Sequence, residues 1–202
     1  KPFFQNAEPK YDVRKLYPQF NFTIVMVTRL TKEKNLGFAI EVFADLFKTC
    51  SRIGLIIIGE GREQPHLEAL ARKLGVEKNV IFEPWQNDVI SYYKTANLFL
   101  LTSTYEGYGR APIEAAASGI PVVTSDVGIT ASIFKDKETA FICPVNDFGC
   151  FTQKIRSFIE HNDERLFFKF NVKENIETLV TSTKGEYLRR FKEGMEKCFV
   201  RE

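Results

Sequence analysis

A chain of 202 residues that is 44% hydrophobic and 13% aromatic can bury one substantial core, which excludes a disordered chain and favours one domain with an appendage. Its 28 basic and 26 acidic residues nearly cancel, so no global field draws it to nucleic acid or to an anionic membrane, and any basic site must be local. Cys50, Cys143, Cys150 and Cys198 form no CxxC pair and are expected to be reduced, cytosolic thiols, while His66 and His161 lie in no HExxH and near no cysteine pair, so no metal site is expected.

In chain order, residues 1–20, polar from 5 to 15, are expected to form a linker from an N-terminal domain outside this chain. Residues 22–28, 54–59, 79–82, 98–102 and 120–124 are short, nearly continuous apolar runs, the pattern of strands in a parallel sheet covered on both faces. Between the first two, Leu36, Ala39, Ile40, Phe43 and Phe47 recur at helical spacing. Leu67, Leu70, Ala71 and Leu74 repeat that pattern and stop at Gly75. Further helices are predicted over 88–95, 111–118 and 148–161. The alternation predicts an α/β fold, a doubly wound parallel sheet over residues 21–162, followed by a helical tail over 163–202 in which Tyr187, Phe191 and Met195 share a face. The apolar runs are too short to span a bilayer.

In such sheets ligands lie beyond the carboxyl ends of the strands, so the loops leaving them carry the chemistry. The first, residues 28–35, sets Arg29, Lys32 and Lys34 beside a helix N-terminus, an arrangement suited to phosphate, although Lys32 also reads as plain solvent exposure. The loop after the fourth strand is more specific. Gly107 and Gly109 allow close approach of the backbone to a ligand, and Pro112 suits the first turn of the next helix. Glu106 and Glu114 stand about two turns apart, and a carboxylate accepts paired hydrogen bonds from vicinal hydroxyls, so one suits a sugar and the other a ribose. A loop acid and a helix-dipole partner are the plain alternatives for these two.

The run EGYGRAPIEAAASGIPVV at 106–123, with VTRLTKEKN at 27–35, resembles the C-terminal domain of the GT-B glycosyltransferases of family GT4. The resemblance continues through GEG at 59–61, YYKTAN at 92–97 and TAFICPVND at 139–147. It implies a Rossmann-like, C-terminal half of a GT-B fold that binds a nucleotide-sugar linked to UDP, GDP or ADP and transfers the sugar with retention. By the same resemblance Arg29 and Lys34 clamp the diphosphate, Glu106, Gly107, Tyr108 and Gly109 hold the sugar, and Glu114 holds the ribose. The base is then expected near Gly59 and the turn from Phe82 to Trp85, with Trp85 alternatively a core residue.

Departures from the family pattern are Thr28 where glycine is common, Tyr108 for phenylalanine, Arg110 for an aliphatic residue, and residues 128–132, which lack the Gly-Gly-x-x-Glu loop. Arg110 either touches the phosphates or faces water. No DxD motif occurs, and a metal-independent reaction without cofactor is expected, with Arg29, Lys34 and Glu106 central to it. Expected partners are the nucleotide-sugar and a glycan or lipid-linked acceptor bound by the N-terminal domain, in cell-surface polysaccharide or lipopolysaccharide synthesis, with no nucleic acid. The expected setting is cytoplasmic, with peripheral contact of the full-length enzyme at the inner membrane face as a further expectation. A dinucleotide-binding domain is disfavoured because residues 59–64 lack the third glycine of GxGxxG. An epimerase of the same two-domain fold and a non-catalytic flavodoxin-like module stay open.

Overall fold

Strand residues alternate sides, and here both sides of nearly every strand are apolar, so the sheet must be covered twice. In β1 (Phe22–Val27), Ile24 and Met26 face one layer, while Val25 and Val27 face the other. The computed structural model describes residues 4, 6–128 and 130–168, except for the side chains of residues 131 and 132. The remaining strands are β2 (Ile53–Ile58), β3 (Val80–Glu83), β4 (Leu98–Leu101), β5 (Val122–Ser125) and β6 (Phe141–Cys143). They form one parallel sheet in the order β3-β2-β1-β4-β5-β6.

One face packs on α2 (Leu36–Phe47), α3 (Gln64–Lys73) and α7 (Phe148–Glu160), through Ala39, Phe43, Leu67, Phe151 and Phe158. The other packs on α1 (Val13–Leu16), α4 (Val89–Thr95) and α5 (Arg110–Ala117), with Val13, Tyr93 and Ala115 to Ala117 inside. A further short helix, α6 (Thr130–Ile133), precedes β6. The doubly wound sheet predicted from the sequence is the observed fold, with strand edges moved by a residue or two. At β5, Pro121 has no N–H to give the ladder; its carbonyl accepts from Phe99 N at 2.9 Å, and the strand starts at Val122.

Other features differ from the sequence reading. β6 was not anticipated, because three residues are too few for an apolar run to stand out. Residues read as linker pack onto the domain: Val13 is fully buried, its N–H donates to Thr95 Oγ1 at 2.9 Å, and Lys10 N donates to Ser91 Oγ at 2.8 Å. Asp12 caps α1 by accepting from Arg14 N. Cys143 and Cys150, expected as free thiols, are joined in a disulfide, because the end of β6 and the first turn of α7 bring their Cα atoms to 5.8 Å. Cys50 carries a free thiol. Residues 162–168 are helical, whereas the rest of the expected tail, with Tyr187, Phe191 and Met195, lies outside the described residues. Among the described residues no helix is long and apolar enough to cross a membrane.

Candidate functional site

The strand order reverses between β1 and β4, so the connections leaving these neighbours run to opposite faces and leave a crevice at their carboxyl ends. The loops bordering it are the two that the sequence singled out. They are stitched together by polar contacts. Asn35, in a left-handed conformation with φ 54°, donates from Nδ2 to the Thr102 carbonyl at 3.2 Å and to Asn146 Oδ1 at 2.8 Å. The Thr102 hydroxyl reaches the Lys34 and Asn35 carbonyls, both at 3.2 Å, and Thr104 N donates to the Glu33 carbonyl at 2.9 Å.

This stitching delivers Lys34 to Glu106. Lys34 Nζ lies 2.7 Å from Glu106 Oε1, and the two side chains are only 13% and 10% exposed. Ser103 Oγ donates to the same carboxylate oxygen at 2.7 Å. A pair this sheltered holds its geometry, because separating it would leave each charge poorly solvated. Arg29 is different: it is 74% exposed and lies 3.6 Å from Glu33, a contact that contributes little and lets the guanidinium turn. The Thr31 hydroxyl donates to Glu33 and holds that carboxyl below its usual range.

Gly109, at φ 66°, turns the chain into α5, whose first residue Arg110 reaches forward one turn to Glu114, with Nη2 to Oε1 at 3.0 Å. Tyr93 is buried, its hydroxyl without a partner among the described residues; burial, with the nearby charge of Glu114 adding, pushes that phenol up. The cleft enclosed by these parts measures about 470 Å³ and gathers Arg29, Lys34, Glu106, Gly109, Arg110 and Glu114, with Trp85 also lining it. A smaller cavity of about 340 Å³ opens beside Asn97 and Pro121, at the opposite ends of β4 and β5, and is lined by none of the candidate donor-site residues.

Not every expected residue reaches the cleft. Phe82 packs against the α2/α3 layer and lines a separate groove beside α3, because strand alternation gives the opposite face to Ile81. Gly59 does not line the cleft either. A Cβ there would stand 1.9 Å from the Thr28 carbonyl oxygen, and its φ is 144°, so the residue lets the loops after β1 and β2 touch. Trp85 is 60% exposed and therefore not a core residue. Tyr108 is half-exposed and a Cβ at Gly107 would meet only open space, and neither residue lines the cleft.

One supporting residue was missed. A Cβ at Gly128 would lie 2.7 Å from the Glu106 carbonyl oxygen, so this glycine backs the glutamate loop. The segment departs from the family pattern, which hid it. Among the described residues no group of acidic, histidine and cysteine side chains is arranged to hold a metal ion.

A family model described as glycosyl transferases group 1 matches residues 10–175. The chain belongs to that family. A capsular polysaccharide biosynthesis glycosyltransferase, CapM, from Staphylococcus aureus is 31% identical over 147 residues, covering 72% of this chain and 38% of the relative. The structure of the Anabaena protein HepE with UDP and glucose superposes with a TM-score of 0.76 at 22% identity, over 85% of this chain and 48% of that one. A C-terminal domain of the group 1 protein LpcC from Francisella tularensis superposes with a TM-score of 0.76 at 21% identity, over 84% of this chain and 93% of that domain. The chain thus spans less than half the length of the curated relatives it matches first.

Proposed function

We propose that this chain is the donor-binding half of a retaining, metal-independent glycosyltransferase that moves a sugar from a nucleoside diphosphate to a glycan or lipid-linked acceptor. The observation that carries the reading is the convergence of three cations, Arg29, Lys34 and Arg110, and two carboxylates on one cleft at the switch point of the sheet. The diphosphate lies between Arg29 and Lys34, the sugar against Glu106 and the backbone from Gly107 to Gly109, and the ribose hydroxyls on Glu114. As the bond from the anomeric carbon to the phosphate breaks, negative charge grows on the departing diphosphate. Arg29, Lys34 and backbone N–H groups supply fixed positive charge there.

Glu106 already accepts from Lys34 and Ser103, which suits a group that positions sugar hydroxyls rather than one that attacks carbon. Retention then follows if the acceptor hydroxyl approaches from the face the phosphate leaves, with a phosphate oxygen taking its proton. The acceptor is assigned to a second domain outside this chain, because the fold matches an isolated C-terminal domain almost completely. The capsular relative favours cell-surface polysaccharide as the product class. The reading includes a cytoplasmic setting at the inner membrane face. A reducing compartment would open the Cys143–Cys150 bond, and alkylation of these two cysteines in freshly lysed cells would show which state prevails.

Glu114→Gln is expected to weaken nucleoside diphosphate binding about tenfold, the loss of one charged hydrogen-bonding group. Glu106→Gln is expected to spare the free diphosphate and weaken only the intact sugar donor. Calorimetry with UDP, GDP and ADP and their glucose conjugates reads both. Equal loss of the free diphosphate in the two variants contradicts this division.

A further inference from the structure

The two carboxylates of the cleft are each held by a cation, but in opposite ways. The Lys34–Glu106 pair is sheltered on both sides, whereas Arg110 is 81% exposed while its partner Glu114 is 20% exposed. Arg110 also begins α5, where the helix dipole disfavours a cation and favours an anion; no acidic side chain occupies that first turn. An exposed pair one helical turn apart is weak, so Arg110 rests on Glu114 without being committed to it. The carboxylate that Arg110 contacts, through Oε1 alone, is the one the proposed reading gives to the ribose.

We propose that Arg110 is a donor-reading residue that changes partner on binding, yielding Glu114 to the ribose hydroxyls and turning its guanidinium onto the diphosphate. The inference rests on the nucleotide-sugar reading of the cleft. Three consequences follow from the geometry. Within the chain itself the two carboxylates are paired, one with Lys34 and one with Arg110. Ribose binding releases a cation at the helix start, on the rim shared with Arg29, so the two halves of the nucleotide bind cooperatively. An uncharged nucleoside must displace Arg110 without gaining the phosphate contact, which selects for phosphorylated ligands.

The test compares Arg110→Leu with the unaltered 202-residue chain, using uridine, guanosine and adenosine by NMR titration and their diphosphates by calorimetry. For the base that binds, the diphosphate is expected to weaken about threefold to tenfold. The nucleoside is expected to hold its affinity or to gain up to about twofold, as the competitor for Glu114 is gone. Arg29→Leu serves as the control that lowers the diphosphate without any gain for the nucleoside. A fall in both ligands, as a merely structural role would give, overturns the proposal, and so does an unchanged diphosphate affinity. If no diphosphate binds the unaltered chain, the donor-binding reading itself fails.

Discussion

Incubated with nucleotide-sugars and candidate acceptors, the 202-residue chain is expected to bind the donor and to transfer no sugar. On the proposed reading this chain supplies the donor side of the cleft, where Arg29, Arg110 and Trp85 are largely in solvent. On the proposed reading a second domain holds the acceptor hydroxyl, and the transfer depends on its alignment with the anomeric carbon. Orienting two reactants can lower a barrier by about 7 to 11 kcal/mol, and an open half-site forfeits most of it. The measurement is acceptor-dependent product formation by the chain with and without the N-terminal portion of the same enzyme, expressed separately. Product from the chain alone contradicts the half-site reading; product only on mixing supports it.

Lys34→Ala should be the most damaging single change in the cleft, acting on both binding and stability. It removes a cation from the diphosphate position, for which a loss of about tenfold or more in nucleoside diphosphate affinity is expected. It also strands the Glu106 carboxylate, 10% exposed, with Ser103 as its remaining partner. Breaking a fully buried pair costs about 3–5 kcal/mol; this pair keeps some solvent, so a loss of about 2–3 kcal/mol in unfolding free energy is expected. Arg29→Ala, at an exposed position, is expected to weaken binding with almost no change in stability. The double variant Lys34→Ala with Glu106→Gln separates the two effects. It should regain much of the stability, since no charge is stranded, while binding stays weak. A Lys34→Ala protein as stable as the parent, with unchanged diphosphate affinity, removes Lys34 from the account.

The strands were legible because a sheet covered on both faces needs almost unbroken apolar runs, and IGLIII and LFLL supply them. The two functional loops were legible from where they leave those strands. What escaped was decided by contacts distant in sequence. Strand alternation sends Phe82 to the opposite layer, a matter of register that a four-residue strand does not reveal. The seven-residue spacing of Cys143 and Cys150 matches no familiar pattern, and only the turn from β6 into α7 brings them together. The segment around Val13 reads as linker because one buried valine among charged residues carries no periodicity, yet α4 offers Ser91 and Thr95 as partners for its backbone. Gly59 and Gly128 looked like ligand contacts or loop residues; both allow one backbone to touch another.

The most direct test of the central claim is a calorimetric titration of the chain with UDP, GDP and ADP, repeated on Glu114→Gln and Lys34→Ala. The account predicts that at least one diphosphate binds with one-to-one stoichiometry and that both variants weaken it about tenfold or more. Failure of all three to bind, or binding that neither variant diminishes, would contradict it.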